Sequence, residues 1–383
     1  MSWLENAVFY QIFIDRFAGF KTTDNWEKPD YLGGNIKGII SKLDYINDLG
    51  ANAIWITPFN KGIAYHGYHI TDFYGVDEHF GTEADLKHLI KKAHNKGIRI
   101  VFDFVPNHCS NKHPYFLDAT NDKDSKYRDW FIFESWPNDY QCFSQYKELP
   151  KLNLDNEKVR QHLLGSARKW LSIGFDGARI DHIVGISNEN IKAVIKPLRE
   201  EFPEAVFIGE AWITRNVKLR EMKLLHTPYK YLIWLFQWNN RLYKNYAGIL
   251  DGILDFETAQ LLERYATSGS GKYKSQIVKK IVKHRNVISH ITFLDNHDME
   301  RFLYRCGGDI NKLKKVATLQ FLLQAVPMIY YGTEIGMSQT KPFSSLNSHN
   351  DILAREPMWW EKPKQNSKLL DFYKNLIKKR SSK

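Results

Sequence analysis

The stretch Phe175-Asp176-Gly177-Ala178-Arg179-Ile180-Asp181-His182 places an arginine and an aspartate two residues apart at the end of a short apolar run. Residues two apart in a β-strand point to the same face, so Arg179 and Asp181 would share one side of the strand. Folds built on parallel strands carry functional side chains at the carboxyl ends of those strands. A surface turn explains this stretch equally well when it is taken alone, so the interpretation depends on partners elsewhere in the chain.

The composition is that of a globular protein with a large core. The chain has 383 residues, of which 43% are hydrophobic, enough for one barrel-sized domain or two to three ordinary domains. The formal charge of +11 would suit a nucleic-acid or anionic-surface partner, but no compact basic motif accompanies it. The lysine clusters lie in segments predicted as helices. We therefore attribute the charge to solvated helix faces and expect no nucleic-acid partner.

Cysteine usage and hydropathy limit the cellular setting. Cys109, Cys142 and Cys306 are too few and too scattered for a disulfide framework or a zinc site, and we expect reduced thiols. The N-terminus reaches a strand-like run within a few residues, and no stretch of about twenty apolar residues occurs, so neither a signal peptide nor a membrane partner is expected. A cytoplasmic location is the default expectation, although a mature chain with its signal removed would look the same.

Short apolar runs alternate with longer amphipathic segments along most of the chain. The runs predicted as strands are 8–13, 53–56, 98–105, 175–181, 205–209, 249–256, 289–294 and 327–331. The segments predicted as helices include 36–49, 85–95, 157–173, 188–202, the aromatic stretch 219–246 and a final helix at 368–380. Strands this apolar indicate a parallel sheet covered by helices.

Eight such strands favour a closed (β/α)8 barrel, a TIM barrel, over an open doubly wound sheet, since no glycine-rich phosphate fingerprint is present. The alternation is interrupted once, after the third strand. Residues 107–156 are rich in Asn, Asp, Pro and aromatic residues without a clear period. The predicted organisation is therefore a barrel in two parts, 1–106 and 157–383, with a short irregular insertion domain at 107–156.

Four strand ends carry polar side chains that would meet at one edge of this barrel. They supply Asp103 with Asn107-His108, then Arg179 with Asp181, then Glu210, and finally Asn296-His297-Asp298. Asp and Asn favour strand-to-loop turns on their own account. Their joint occurrence at the carboxyl ends of four strands nevertheless favours a catalytic site over a purely structural origin.

The same strand ends resemble the four signature motifs of the α-amylase family of glycoside hydrolases, retaining enzymes that act on α-glucans. The matching segments are DFVPNH at 103–108, GARID at 177–181, IGEAW at 208–212 and FLDNHD at 293–298. Further similarity lies in YQIFIDRF at 10–17, HGY at 66–68 and YYGTEIG at 330–336. The motifs occur in family order over essentially the whole chain, so the resemblance is specific.

The resemblance implies a role for each carboxylate. Asp181 would be the nucleophile, Glu210 the general acid/base, and Asp298 the third carboxylate, which grips sugar hydroxyls and stabilises the oxocarbenium-like state. Arg179 would keep Asp181 ionised, and Glu210 would need a raised pKa to begin protonated. Retention by double displacement requires the nucleophile and the acid/base to lie about 5 to 5.5 Å apart.

The resemblance also implies substrate contacts outside the carboxylates. The residues concerned are Tyr68 as an aromatic platform for the reacting sugar, and His108 and His297 as its hydrogen-bond partners. Trp212 would line the site beyond the scissile bond, or else fill the core. Asp351 and Arg355 would touch the donor-side sugars, or else form a surface ion pair.

Two departures bear on calcium and on the acceptor side. Val184-Gly185 replaces the lysine-histidine pair of many amylases, which supplies acceptor contacts and a calcium-binding carbonyl. Asn107 is a candidate calcium ligand, but the acidic residues that follow it lack ligand-loop spacing, so no cofactor is required and calcium is left open. LPKLN at 149–153 resembles the marker of the neopullulanase, cyclomaltodextrinase and maltogenic amylase branch.

The function expected from this resemblance is hydrolysis of α-1,4-glucosidic bonds in maltooligosaccharides, starch or cyclodextrins. A 4-α-glucanotransferase would use the same carboxylates, and a catalytically inactive glucan-binding subunit is disfavoured because all three carboxylates are present. The sequence does not include the branch's N-terminal β-domain, and it stops after the predicted last barrel helix, where most family members continue into a C-terminal β-sandwich domain. Either the protein is a minimal natural member or the sequence is truncated. A homo-oligomer that covers the face left by the missing domain is one expectation.

Overall fold

Eight parallel strands form a closed barrel in a computed structural model that describes residues 2–212, 245–345 and 350–381. They are β1 (Phe9–Ile12), β2 (Ala53–Ile56), β3 (Arg99–Phe104), β4 (Gly177–Ile180), β5 (Val206–Glu210), β6 (Gly252–Leu254), β7 (Ser289–Thr292) and β8 (Val326–Tyr330). Each strand pairs with its neighbours in sequence, and β8 pairs with β1. The predicted (β/α)8 fold is confirmed.

Helices follow the strands and surround the barrel. In the described residues they are Ile14–Phe17, Ile36–Ser41, Leu43–Leu49, Glu83–His94, Pro114–Asn121, Glu157–Ser172, Asn188–Glu201, Phe256–Ser268, Gly271–His284, Phe302–Arg305, Ile310–Leu322 and Ser367–Ser381. The helix predicted at 36–49 is interrupted at Lys42, whose φ of −111° is not helical. The prediction for 219–246 lies almost wholly outside the described residues.

The helix Glu83–His94 shows why these segments fold as the periodicity predicts. Thr82 and Asp85 form a reciprocal capping box at its start, an arrangement in which the cap alone contributes about 1 kcal/mol. One face buries Leu86, Leu89, Ile90 and Ala93 against the strands. Lys91 and Lys92 lie on the exposed face, as expected for lysines that give the chain its positive charge.

Apolar side chains fill both sides of the barrel wall. A large cluster packs between strands and helices, and a smaller one, with Phe9, Trp55, Val101, Ile208 and Met328 among its members, occupies the interior. This division follows from the alternation of side chains along each strand. The packed interior closes the barrel, so polar side chains collect above it at the carboxyl ends of the strands.

The segment between β3 and the helix Glu157–Ser172 is anchored at the carboxyl end of β3. It contains the helix Pro114–Asn121 and a small antiparallel hairpin of Phe133–Ser135 with Asp139–Tyr140. Its last part returns to the barrel, where Leu152 donates its backbone N–H to the carbonyl of Asn107 at 3.0 Å. This return brings residues 141–152 beside the strand ends.

The three cysteines and the hydropathy of the helices bear on the expectations about disulfides and membranes. Cys109, Cys142 and Cys306 form no disulfide with one another. Across residues 2–212, 245–345 and 350–381, no helix has both the length and the apolar character needed to cross a membrane.

Candidate active site

Three carboxylates surround one guanidinium at the carboxyl ends of β3, β4 and β5. Arg179 Nη1 lies 2.6 Å from Asp103 Oδ1 and 2.9 Å from Asp181 Oδ1. The other terminal nitrogen, Nη2, lies 2.7 Å from Glu210 Oε1. All four residues are buried. The structure thus brings together Arg179, Asp181 and Glu210, which the sequence placed at the ends of two separate strands.

The register of the barrel determines how close these groups come. β4 and β5 pair in parallel with Ile180 opposite Gly209, so Asp181 and Glu210 are the next residues along two neighbouring strands. The strands can approach because position 177 is glycine: its φ is +152°, and a Cβ there would lie 2.0 Å from a carbonyl oxygen of β5. Gly177 therefore supports the spacing of the two carboxylates above it.

Asp103 is a member of this cluster to which sequence reasoning assigned no role. Its Oδ2 accepts hydrogen bonds from Tyr68 OH at 2.8 Å and from Trp55 Nε1 at 3.2 Å, while Oδ1 contacts Arg179. An aspartate inside the apolar run 98–105 was the available signal, because a buried carboxylate needs partners. Those partners come from other strands and could not be named from the run itself.

A single guanidinium faces three buried carboxylates, and this excess of negative charge favours retention of a proton within the cluster. Burial raises the pKa of Glu210 to about 7, with Arg179 opposing the shift and Asp181 and Asp298 adding to it. Burial also raises the pKa of Asp103 to about 8. Its hydrogen bonds to Arg179 and Tyr68 oppose this shift, as Arg179 and the His182 N–H do for Glu210. Asp103 and Glu210 are therefore the two groups of the cluster whose protonated form is favoured by burial.

The residue after Asp181 fixes the other oxygen of Glu210. His182 adopts a left-handed backbone conformation with φ of +44°, and its N–H donates to Glu210 Oε2 at 3.0 Å. Space for the His182 ring depends on Gly185, where a Cβ would lie 2.7 Å from the ring and 2.6 Å from Asn107 Oδ1. The glycine at 185 therefore leaves room for the His182 ring.

Tyr68 and His297 form a stacked pair next to Arg179. Their rings are 5.6 Å apart at an angle of 4°, and Tyr68 OH lies 2.8 Å from His297 Nε2. The other ring nitrogen, Nδ1, lies 2.7 Å from Gln11 Nε2 of β1. Burial lowers the pKa of His297 well below its usual value, aided by Arg355 and Arg179, so the ring is neutral. Gln11 was not predicted, since its partner lies in the seventh β/α unit.

Asp298 is held in place by Arg355, whose Nη2 lies 2.9 Å from Asp298 Oδ1. The same guanidinium pairs with Asp351, contacts Tyr65 OH at 2.9 Å and donates from Nε to the carbonyl of His297 at 2.8 Å. Arg355 is only 3% exposed, which excludes the alternative of a surface ion pair. Arg355, itself paired with Asp351, therefore holds the Asp298 carboxylate in position.

We expect Arg355→Lys to lower kcat by 10- to 100-fold on the maltooligosaccharides that the sequence predicts as substrates, because a lysine cannot hold Asp298, Tyr65 and the His297 carbonyl together. KM should change less, because the role predicted for this carboxylate is to stabilise the transition state. Steady-state kinetics together with a thermal melt measure both effects. Arg305→Lys, at an exposed arginine that pairs with Glu263 and Glu300, is the control. An unchanged kcat in a folded Arg355→Lys protein would contradict this role.

His108 lies beside Asp181, whose charge partly offsets the effect of burial on the histidine. Burial lowers the pKa of His108 to about 4, so the ring is neutral. Its Nδ1 lies 3.3 Å from Asn107 Nδ2, and its buried Nε2 has no hydrogen-bond partner within the described part of the chain. An unpaired buried ring nitrogen next to Asp181 is suited to hydrogen bonding with a substrate.

Asn107 stays the candidate calcium ligand that the sequence predicts. Its Oδ1 is buried and lacks a hydrogen-bond partner among the described residues, as a ligand awaiting a cation would. Among residues 2–212, 245–345 and 350–381, no group of three or more His, Cys, Asp or Glu side chains could hold a metal ion. No chemical step is therefore assigned to calcium.

Trp212 lies two residues beyond Glu210 and is half buried. Its ring stacks on Phe256, with centroids 4.9 Å apart and planes at 1°. It also packs against the apolar cluster inside the barrel. The structure gives Trp212 a packing role in the core, and the predicted contact with substrate stays a prediction.

The fold is a closed parallel barrel, and a buried acid, two further carboxylates and an arginine lie at the carboxyl ends of its strands. These features define a class of (β/α)8 proteins with an acid–base site. Comparison with known proteins identifies the particular family. Residues 11–380 match the family described as alpha amylase, catalytic domain. The chain belongs to the α-amylase family, and the predicted resemblance is confirmed.

The individual relatives agree with this assignment. Alpha-amylase 2 of Dictyoglomus thermophilum is 37% identical over 387 residues, which cover 99% of this chain and 64% of the relative. A cyclomaltodextrinase of Thermoanaerobacter pseudethanolicus is 31% identical over 399 residues, which cover 98% of this chain and 63% of the relative. The chain thus spans less than two thirds of the length of these two curated relatives.

Solved structures show the same fold. The cyclic α-maltosyl-(1→6)-maltose hydrolase from Arthrobacter globiformis superposes with a TM-score of 0.83 at 29% sequence identity. The match covers 100% of this chain and 84% of that one. The likeness therefore includes the whole barrel and the segment inserted after β3.

Proposed function

We propose that this protein is a retaining α-glycosidase that hydrolyses α-1,4-glucosidic bonds in maltooligosaccharides, starch or cyclodextrins. The observation that carries the proposal is the arrangement of Asp181 and Glu210 around Arg179. One guanidinium contacts both carboxylates, while burial gives Glu210 a pKa of about 7. An ionised nucleophile beside a protonated acid is the pair that double displacement requires.

The first step forms a covalent intermediate. Asp181 attacks the anomeric carbon as a carboxylate, Glu210 gives its proton to the glycosidic oxygen, and the bond between that oxygen and the anomeric carbon breaks. The leaving sugar departs as an alcohol, and an ester joins Asp181 to the remaining sugar. Equivalent positions on adjacent strands lie about 4.8 Å apart, which supports the short separation that this step needs.

The second step releases the sugar. Water attacks the anomeric carbon from the side that the leaving group vacated, and Glu210, now ionised, takes a proton from it. The ester bond breaks and Asp181 is again a free carboxylate. Two inversions give net retention of configuration. If a sugar hydroxyl replaces water, the same step transfers the glucosyl unit, which is the 4-α-glucanotransferase alternative.

The remaining predicted residues would hold the reacting sugar. His108 is neutral and its buried Nε2 has no partner among the described residues, so it would hydrogen-bond a sugar hydroxyl. His297 is also neutral, and it would bind a hydroxyl by exchanging its bond to Tyr68 OH. Tyr68 would offer its ring to the apolar face of the sugar, and Asp298, fixed by Arg355, would grip its hydroxyls. The names of the relatives support an α-glucan substrate, since they include an α-amylase and a cyclomaltodextrinase. Oligomeric state and cytoplasmic location stay predictions.

We expect maltotriose to be cleaved to glucose and maltose, with the newly formed reducing end first appearing as the α-anomer. Proton nuclear magnetic resonance within the first minutes reports the anomer, and chromatography reports the product lengths. Oligomers longer than maltotriose would favour the transferase. A first-formed β-anomer would refute double displacement through Asp181, and an absence of any cleavage would refute the proposed activity.

A further inference from the structure

Gln11 is a fully buried amide on β1 whose side chain makes a single hydrogen bond. It shares the inward face of the strand with Phe9, two residues earlier in the same apolar run. Its Nε2 lies 2.7 Å from His297 Nδ1, while its Oε1 has no hydrogen-bond partner within residues 2–212, 245–345 and 350–381. A buried amide with an unpaired oxygen destabilises the folded state. Folding alone therefore gives little reason for a glutamine at this position.

The second ring nitrogen of His297 faces two oxygen atoms. Nε2 lies 2.8 Å from Tyr68 OH and 3.2 Å from Asp298 Oδ2. Asp298 pairs with Arg355 as a carboxylate, which can accept a hydrogen bond but cannot donate one. Burial lowers the pKa of His297, so the neutral ring carries one proton, and both oxygens can accept that proton if it lies on Nε2. Nδ1 is then an acceptor, which matches the amide nitrogen of Gln11 opposite it.

Tyr68 continues the same direction of donation. Its only hydroxyl proton goes to Asp103 Oδ2 at 2.8 Å. The Tyr68 oxygen is therefore free to accept from His297 Nε2, and a second donor, Arg179 Nη1, lies 3.4 Å from it. The hydrogen bonds thus run one way across the barrel, from the amide on β1 to the carboxylate that follows from β3.

The opposite direction of donation is unfavourable in this structure. It would require a proton on Asp103, a Tyr68 hydroxyl that donates to Nε2, and a flipped Gln11 amide that accepts from Nδ1. An unprotonated Nε2 would then lie 3.2 Å from the Asp298 carboxylate. Two acceptors would face each other without a proton between them, so the contact between His297 and Asp298 decides the direction.

We infer that Gln11 is a positioning residue, whose amide keeps the proton of His297 on Nε2 and fixes that ring as a hydrogen-bond donor. The inference rests on the proposed function, in which His297 would bind a hydroxyl of the reacting sugar. With Nδ1 occupied by the amide, the ring can donate to this hydroxyl but cannot take its proton. Gln11 would thus act on the substrate only through His297.

The direction of these hydrogen bonds also affects the carboxylates around Arg179. Donation from Tyr68 to Asp103 favours the ionised form of that carboxylate. Of the two acids whose protonated form burial favours, Glu210 is then the one that retains the proton. The first step of the proposed reaction needs the proton at this position.

The first test determines the tautomer of His297 directly. Nuclear magnetic resonance of protein labelled with ¹⁵N in its histidine rings distinguishes protonated from unprotonated ring nitrogens, and the spectrum of His297→Asn identifies the signals of this ring. At neutral pH we expect a proton on Nε2 and none on Nδ1. A proton on Nδ1 of the wild-type ring, alone or in addition, would overturn the inference. The measurement needs no substrate and is therefore independent of the proposed activity.

The second test removes the amide. Gln11→Met has a similar volume but no donor, so the His297 ring should lose its fixed orientation. We expect kcat on maltotriose to fall about tenfold while KM changes less than threefold. The melting temperature should stay the same or rise, because an amide with an unpaired oxygen has been removed. A glutamine with a merely structural role would give the reverse result, a lower melting temperature with an unchanged kcat.

Gln320→Met is the matched control. Gln320 is also buried, and its Nε2 donates to the backbone carbonyls of Thr292 and Met328 at 2.8 and 3.1 Å. This variant should lose stability but keep the wild-type kcat and the His297 tautomer. An unchanged kcat in a folded Gln11→Met protein would overturn the positioning role. If the wild-type protein cleaved no maltooligosaccharide, the proposed function would fail, and the spectrum would still show whether the tautomer is the one inferred.

Discussion

Asp181→Asn is expected to lower kcat by about ten-thousand-fold on both maltotriose and α-maltosyl fluoride. An amide has nearly the shape of the carboxylate and can still accept a hydrogen bond from Arg179, so the fold should be preserved. It is a far weaker nucleophile, however, and no glycosyl ester can form. The loss is independent of the leaving group, because both substrates need the same attack on the anomeric carbon.

The control for this variant lies at the other end of the same stretch. Asp176 accepts hydrogen bonds from Arg99 and from the backbone N–H of Ile100, and also contacts His94. Asp176→Asn should lower the melting temperature with little change in kcat, because these partners stabilise the barrel away from the substrate. Turnover by Asp181→Asn within tenfold of the wild type would show that another residue is the nucleophile.

Glu210→Gln is expected to slow the two substrates by different factors, whereas Asp181→Asn should slow both by the same factor. Cleavage of maltotriose needs a proton on the leaving oxygen, so kcat/KM should fall by at least about a thousandfold. Fluoride leaves with much less assistance, and kcat/KM for α-maltosyl fluoride reports only the first step, so its loss should be much smaller. Glu201→Gln, at an exposed residue paired with Arg168, is the control. Equal losses on the two substrates would contradict the role of Glu210 as acid.

The pH profile gives a second readout for Glu210. Only the protonated form can act as acid, and burial raises its pKa to about 7. The kcat/KM of the wild type on maltotriose should therefore decline as the pH rises through that pKa. In Glu210→Gln this decline should be absent, because the amide does not titrate. A wild-type profile that stays flat up to pH 9 would contradict the assignment of the proton.

The barrel could be predicted because its signals are local. Each strand is a short apolar run followed by an amphipathic segment, and β2 was placed at residues 53–56, the range that the structure shows. The strand ends also carried the polar side chains that converge above the barrel. Closure of eight parallel strands brings residues such as Glu210 and Asp298 to the same edge of the barrel. Their proximity therefore follows from the fold and needs no pairwise signal in the sequence.

The supporting contacts were not predictable, because they join distant parts of the chain. Tyr65 and Arg355 are 290 positions apart, and Gln11 and His297 are 286 apart. Such pairs exist only after closure brings the loop after β2 and the loop after β8 to the same edge. Lys42 is a local failure of a different kind: the helical periodicity continues through it, although the backbone does not.

The crowding around Gly185 also has a consequence for how this chain can change. A Cβ at 185 would lie within 3 Å of the Asn107 and His182 side chains, so a larger residue there requires one or both of these side chains to move or to be replaced. The effect of a substitution at 185 should therefore depend on the residues at 107 and 182. The lysine-histidine pair of many amylases should be tolerated better at 184–185 together with a smaller residue at 182.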